Sequence, residues 1–240
     1  MQNYNSKLKV QLQSFFQEFI SVCRRCGRKP QDVQVVYATK YLNKEQFVIF
    51  LDIVLGSDLK GAKGLTPILI GENRVQEAEE KLEYVRQEAF ELLQEFSMIM
   101  IGTLQKNKIN KAIKIFTEIH SIDSLDLADE LNRRLERENR VMPVFLEVNV
   151  SKEESKHGFR VGEIGAIIKE LKLLKSLKLE GLMTMAPYGG DLEEIRGIYR
   201  ELKELADGYE LQTSMGMSSD WKVAVSEGTD MIRIGSRIFE

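Results

Sequence analysis

The sequence predicts an α/β fold, namely a single-domain TIM-like (β/α)8 barrel with one additional helix at its N-terminus. Its length of 240 residues suits one barrel of this kind. Eight short apolar runs alternate with segments of helical periodicity, and strict alternation of strands and helices favours a parallel sheet. Because eight parallel strands can close into a barrel, we expect one domain that covers residues 1–240.

The elements can be assigned in chain order. An amphipathic stretch from about residue 5 to residue 27 predicts the N-terminal helix, which we expect to fill the outer ring because the chain stops just after the eighth strand. The predicted strands cover residues 33–39, 67–70, 98–101, 118–122, 144–150, 179–184, 211–215 and 231–234. Apolar stripes at helical spacing lie between them, for example Ala78, Leu82, Val85, Ala89, Leu92, Leu93 and Phe96, and then Leu125, Ala128, Leu131 and Leu135.

Composition argues against nucleic acid and membranes as partners. The formal net charge is −3 and the sequence pI is about 5.7, so the chain has no basic field that would attract either. The N-terminus is polar where a signal peptide would be apolar, and no run approaches the length of a membrane span. We therefore expect a cytoplasmic, monomeric protein whose partner is a small molecule.

Cys23 and Cys26 have the Cys-x-x-Cys spacing that occurs in zinc sites and redox pairs. A second cysteine pair is missing from the sequence, and the two histidines, His120 and His157, are far apart along it. Both cysteines also lie inside the predicted N-terminal helix. A structural role is therefore expected for them, and no metal site is predicted.

Two predicted strand ends near the C-terminus combine serine and glycine. Ser214 and Met215 begin the turn after the seventh strand, and Gly235 and Ser236 follow the eighth. Backbone N–H groups approach an anion closely where small side chains leave room, and TIM barrels often bind phosphate in these two loops. The sequence therefore predicts a phosphate-binding cup.

Lys40 and Arg233 are predicted to point into the mouth of the same barrel. Lys40 follows the first strand on the side of Val36 and Ala38, and Arg233 lies on the face opposite its two flanking isoleucines. An amine enclosed beside a phosphate cup can capture an aldehyde as a Schiff base, and the phosphorylated aldehyde of this chemistry is pyridoxal phosphate. A structural ion pair remains an alternative role for Arg233.

Seven motifs in register resemble the pyridoxal phosphate homeostasis protein family, which is similar to the barrel domain of alanine racemase. The resemblance spans nearly the whole chain and implies the fold type III barrel of pyridoxal phosphate proteins. The motifs are Ala38-Thr39-Lys40, the seven residues from Gly71 to Glu77, the eight from Ile101 to Lys108, Asn149-Val150 with Glu153-Glu154-Ser155-Lys156, Gly181-Leu182-Met183, Ser214-Met215-Gly216-Met217-Ser218 and Arg233-Ile234-Gly235-Ser236.

The resemblance implies a role for each matching residue. Lys40 would form the internal aldimine, Asn73 would lie beside the cofactor ring, and Arg233 would face the pyridine nitrogen. The phosphate would rest on Ser214, Met215, Gly235 and Ser236. Helix capping is an alternative role for Asn73. The resemblance also implies a carrier that holds the cofactor without turning over amino acids, with apo-enzymes as the expected recipients.

The sequence departs from the family at two places. Thr103 stands where the family usually has histidine, and thirty residues separate Lys40 from Gly71, more than is usual. Residues 55–64 are therefore predicted to form an extra loop.

Two other functions use the same residues. A racemase of the alanine racemase type would also use the lysine and Arg233, but it needs a second base, which alanine racemase takes from a β-domain that we do not expect here. A Schiff-base aldolase acting on a sugar phosphate would use the lysine and the phosphate cup without a cofactor.

Overall fold

A computed structural model describes residues 2–56, 68–151, 157–187 and 189–240, and for residues 2 and 3 only the backbone. Its strands are β1 (Gln34–Ala38), β2 (Ile68–Glu72), β3 (Phe96–Met100), β4 (Glu118–Ile122), β5 (Met142–Asn149), β6 (Phe159–Arg160), β7 (Leu177–Met183), β8 (Gln212–Ser214) and β9 (Met231–Ile234). Its α-helices are α1 (Gln2–Arg25), α2 (Lys44–Leu55), α3 (Val75–Glu88), α4 (Ile109–Ile115), α5 (Leu125–Arg137), α6 (Ile164–Leu171), α7 (Leu192–Asp207), α8 (Trp221–Ser226) and α9 (Ser236–Phe239).

Eight of these strands close into a parallel barrel, as predicted. The order is β1, β2, β3, β4, β5, β7, β8 and β9, and β9 pairs back with β1. The short β6 pairs only with the end of β5 and was not predicted. A helix follows each barrel strand, so the predicted α/β alternation is confirmed for the described part of the chain.

The core has two layers because side chains alternate along each strand. A small apolar cluster fills the inside of the barrel, and a larger one lies between the strands and the outer helices. The inner cluster consists of Val36, Leu69, Ile99, Phe145, Met183 and Met231, with Ile101 packed against it.

The N-terminal helix lies where the sequence placed it, between the first and last helices of the outer ring. It packs against α2 on one side and α8 and α9 on the other. Phe15 and Phe19 contact the Trp221 ring, with centroid distances of 5.6 and 6.1 Å. Cys23 is buried in the same face and burial raises its pKa to about 11, whereas Cys26 is exposed. The two thiols therefore do not face a common site.

One predicted boundary changes. The apolar stripe from Ala78 to Phe96 predicted one helix, but α3 ends at Glu88, a 3-10 turn covers Phe90–Gln94, and Phe96 begins β3. Apolar spacing alone does not mark this change because both elements bury side chains on the same core. The predicted extra loop at residues 55–64 begins at the end of α2, and its residues from 57 onward lie outside the described residues.

No helix in the described ranges combines the length and the apolar character that crossing a bilayer requires.

Candidate functional site at the barrel mouth

The predicted site residues lie at the carboxyl ends of four neighbouring strands. β2, β1, β9 and β8 are adjacent in this order, so their C-terminal ends meet on one side of the barrel mouth. Barrel proteins carry their active sites at this end. Lys40 follows β1, Asn73 follows β2, Ser214 and Met215 close β8, and Arg233, Gly235 and Ser236 belong to β9 and its turn.

Arg233 points into the barrel, as the alternation predicts. It pairs in register with Val36, while Ile232 and Ile234 lie in the outer core. Its buried guanidinium donates to the Ser214 carbonyl at 2.7 Å, to the Ser214 hydroxyl at 2.8 Å and to the Thr184 carbonyl at 2.8 Å. Burial lowers the pKa of Arg233 from its ordinary value. All three acceptors are neutral, so Arg233 forms no structural ion pair within the described residues. A guanidinium stays protonated in proteins, so Arg233 carries its charge inside the barrel.

The phosphate cup needs a correction on the β8 side. The Ser214 hydroxyl accepts from Arg233 inside the barrel, and the Met215 N–H donates to the Met231 carbonyl at 3.0 Å. The Met215 side chain is buried in the outer core. Met215 therefore offers no free donor to a phosphate. The hydrogen bonding between β8 and β9 continues through the Met215 N–H, where the serine and glycine pattern predicted the start of a turn.

The β9 side of the cup has convergent donors. The backbone N–H groups of Gly235 and Arg237 both donate to the Ser218 hydroxyl, at 3.1 and 3.2 Å. A Cβ at Gly235 would lie 2.8 Å from the Tyr41 ring and 3.0 Å from the Ala38 carbonyl, so this close approach requires glycine. Ser218 belongs to the quoted motif, but sequence reasoning did not select it.

Asp220 holds the turn that carries Ser218. Its Oδ1 accepts from the Met217 N–H at 2.7 Å and from the buried Tyr199 hydroxyl at 2.7 Å. Gly216 begins this turn with φ of +95°, a conformation that favours glycine. Burial beside Asp220 raises the pKa of Tyr199, so its hydroxyl stays protonated as the donor.

Lys40 is exposed, contrary to the expected enclosed amine. It lies two residues beyond the end of β1, in a turn that the Leu42 N–H closes on the Thr39 carbonyl at 2.9 Å. Its Nζ lies 5.0 Å from the centroid of the Tyr41 ring. The side chain is therefore accessible at the mouth, on the strand next to the Gly235 turn.

Asn73 lines a cleft of about 790 Å³ at the carboxyl ends of β2 and β3. It does not cap α3, whose N-cap residue is Arg74 with no side-chain cap hydrogen bond. Thr103, which replaces the usual histidine, lines the same cleft and is exposed. The capping alternative for Asn73 is thereby removed.

Glu147 is a functional candidate that sequence reasoning missed. It lines the same cleft, is 6% exposed and makes no hydrogen bond or ion pair with any residue in the described part of the chain. Burial raises the pKa of Glu147, and the nearby Asp123 raises it further. The carboxylate oxygens of Glu147 reach the open space of the cleft, where a carboxyl with a raised pKa can hold or release a proton.

Comparison with known proteins places the chain in a family. Residues 67–240 match the family described as alanine racemase, N-terminal domain. A pyridoxal phosphate homeostasis protein of Aquifex aeolicus is 34% identical over 90% of both chains. A structure of an unknown protein from Bifidobacterium adolescentis has a TM-score of 0.86 and 27% identity, and the match covers 99% of this chain and 96% of the other.

One solved relative contains the expected cofactor. PipY of Synechococcus elongatus, solved with pyridoxal phosphate bound, is 28% identical with a TM-score of 0.74, over 93% of this chain and 99% of that chain. The sequence match, the barrel and its mouth agree with the resemblance that the motifs indicated. The chain belongs to the pyridoxal phosphate homeostasis protein family, which shares the N-terminal barrel domain of alanine racemase.

Proposed function

We propose that this protein binds pyridoxal phosphate at the barrel mouth and serves cofactor homeostasis in the cytoplasm. The observation that carries the proposal is the convergence of the Gly235 and Arg237 N–H groups on one oxygen, at a strand end next to that of Lys40. The Ser218 side chain can rotate away, unlike the Met231 carbonyl that accepts from Met215, and a phosphate oxygen can then take its place on both N–H groups. The PipY relative holds this cofactor on the same fold.

Each residue has a distinct part in the proposal. When bound, the cofactor supplies an aldehyde that condenses with an amine and a ring that can withdraw electrons. Lys40 supplies the amine, and Gly235, Ser236 and Ser218 receive the phosphate. Arg233 would serve the ring side of the site and stay protonated, because a guanidinium does not readily give up its proton. Asn73 approaches from the β2 side.

Non-catalytic storage and delivery is the finer part of the proposal. A protonated Arg233 guanidinium would give the ring nitrogen no proton, so the bound cofactor would be a weak electron sink. The exposure of Lys40 favours hand-over, because a recipient amine can reach the same place from solvent. Apo-enzymes that use pyridoxal phosphate are the proposed recipients, and we propose that the protein acts as a monomer.

Amino-acid racemisation is the second candidate, and Glu147 is the observation that favours it. Inverting a Cα centre needs an acid and a base on opposite faces of the substrate. Lys40 can serve one face, and the unpaired carboxyl of Glu147 lies in the cleft at the same mouth. Incubation of the cofactor-loaded protein with L-amino acids in deuterated water separates the candidates. Storage predicts no Cα exchange, whereas turnover of about one per second that Lys40→Ala and Glu147→Gln both abolish would establish the racemase.

A retention experiment tests binding itself. The purified chain is mixed with pyridoxal phosphate, passed through a desalting column and examined by absorbance between the ultraviolet and the visible. We expect about one cofactor retained per chain, with pyridoxal lacking the phosphate as the matched control that is lost, because the β9 turn donates to phosphate oxygens. Equal loss of both compounds would contradict the proposal.

A further inference from the structure

A buried ion pair lies directly behind the ends of β1 and β2. Lys81 Nζ on α3 lies 2.5 Å from Glu72 Oε1, and the two side chains are 5% and 0% exposed. The Thr39 hydroxyl donates to the same Glu72 oxygen at 2.5 Å, and Lys81 also donates to the Thr39 carbonyl at 2.8 Å. We call Thr39, Glu72 and Lys81 the buried triad.

A buried ion pair is by itself weak evidence for a stabilising role, so the buried triad needs another explanation. Its surroundings are apolar on one side, since the Phe47 ring centroid lies 5.6 Å from Lys81 Nζ. The second oxygen of Glu72 is buried and finds no hydrogen-bond partner in the described residues. Burial raises the pKa of Glu72, and the Lys81 ammonium opposes that rise. The free-energy cost of removing two charges from water usually offsets their attraction, so a buried pair often serves conformational specificity more than stability.

The triad fixes the two chain segments that carry Lys40 and Asn73. Lys40 directly follows Thr39, and Asn73 directly follows Glu72. Thr39 is tied at every polar atom: its N–H donates to the Gly71 carbonyl at 3.1 Å, its carbonyl accepts from Lys81, and its hydroxyl donates to Glu72. Lys40 is exposed, so the direction of its side chain depends on the peptide that precedes it.

We propose that the buried triad is a positioning cluster that sets where the Lys40 amine stands relative to the phosphate-binding turn of β9. A compound anchored by its phosphate at Gly235 presents its carbonyl carbon at a fixed distance, so the amine must stand within reach of that carbon. The triad supplies this placement from α3, without contacting the ligand. This inference rests on the proposed function.

Two ligands that differ only in the reacting group test the inference. Pyridoxal phosphate carries the aldehyde, and pyridoxine phosphate has the same ring and phosphate with an alcohol in its place. Dissociation constants of both are measured by absorbance or fluorescence titration for the wild type, Glu72→Gln, Lys81→Met and Thr39→Val. We expect Thr39→Val, which leaves the Glu72–Lys81 pair beside Asn73 in place, to weaken pyridoxal phosphate roughly tenfold or more while pyridoxine phosphate changes less than about twofold, because a misplaced amine affects only the reacting ligand. Glu72→Gln and Lys81→Met also loosen the segment of Asn73, so we expect them to weaken both ligands, and pyridoxal phosphate more strongly.

Matched variants separate positioning from general loosening. Lys111→Met removes the exposed ion pair of Lys111 with Glu79, at 2.7 Å on the same outer layer, and is expected to change neither affinity. Lys81→Arg keeps the charge and should restore part of the pyridoxal phosphate affinity. Thr39→Val leaves the ion pair in place, so we expect it to fold even where Lys81→Met does not.

The outcomes differ in what they overturn. Equal weakening of both ligands, or no weakening of pyridoxal phosphate in any triad variant, would overturn the positioning role while leaving the proposed function intact. A wild-type chain that binds neither ligand would overturn the proposed function, and the positioning role would fall with it.

Discussion

Gly102 makes the closest backbone approach at the site and gives a prediction with a defined magnitude. A Cβ at Gly102 would lie 2.4 Å from the Asn73 carbonyl oxygen, 2.7 Å from its Cα and 2.9 Å from its carbonyl carbon. Ordinary contacts begin at 3.4 Å, so Gly102→Ala must move the Asn73 backbone by about 1 Å. A backbone cannot rotate away as a side chain can, so both the fold and the site must respond.

The expected effects follow from that displacement. Overpacking of this kind costs about 1–3 kcal/mol of unfolding free energy, which lowers the melting temperature by about 2 to 12 °C in a chain of this size. Misplacing Asn73 by about 1 Å is expected to weaken pyridoxal phosphate binding roughly 10- to 100-fold. Thermal unfolding without cofactor and an absorbance titration measure the two effects separately.

Gly162→Ala is the matched control. A Cβ at Gly162 would meet no atom within 4 Å in the described part of the chain, so its stability should change by less than about 0.5 kcal/mol and its affinity should not change. If Gly102→Ala has the melting temperature and affinity of the wild type, the close approach of the β2 and β3 ends is not a constraint on the site and the reasoning is refuted.

Three further predictions concern the mouth and its supports. Glu147→Gln should raise the melting temperature at neutral pH. The pKa of Glu147 is raised in the folded chain, so the protonated form favours folding, and the stability of the wild type falls as pH rises through the folded-state pKa. Melting temperatures of the two proteins that do not diverge across a pH series would contradict the unpaired carboxyl. Ser236→Asp should weaken pyridoxal phosphate at least about tenfold by titration, because a carboxylate would face the phosphate at contact distance, and an unchanged affinity would remove Ser236 from the site. Tyr199→Phe should cost about 1–3 kcal/mol in urea unfolding, since Asp220 loses a buried donor, and a stability equal to wild type would show that this hydrogen bond is replaced.

Much of the fold was predictable because strand alternation is a local property of the sequence. The eight barrel strands follow from short apolar runs, the inward face of Arg233 from side-chain alternation with a period of two, and the first helix from a period of 3.6. The end of α3 was not predictable in this way, since its apolar stripe continues through Phe96 into the next strand.

The site residues were predictable only where a short motif at a strand end carries a reactive or phosphate-binding residue. Gly235 and Lys40 stand in short motifs at strand ends, so their common location follows from the barrel. Glu147 lies inside an apolar strand run, and its lack of a partner is visible only once every neighbouring strand is in place. The exposure of Lys40 likewise depends on where the turn after β1 leads, which residue types alone do not specify.

The most direct test of the account is to identify the lysine that holds pyridoxal phosphate. The cofactor-loaded chain is reduced with borohydride, digested and analysed by mass spectrometry, with Lys40→Ala and the matched control Lys44→Ala treated in parallel. Lys44 is four residues further on at the start of α2, where its Nζ lies 5.0 Å from the Tyr84 ring centroid. The account predicts the label on Lys40 in the wild type and in Lys44→Ala, and none in a folded Lys40→Ala chain. A label on another lysine of the wild type would contradict it.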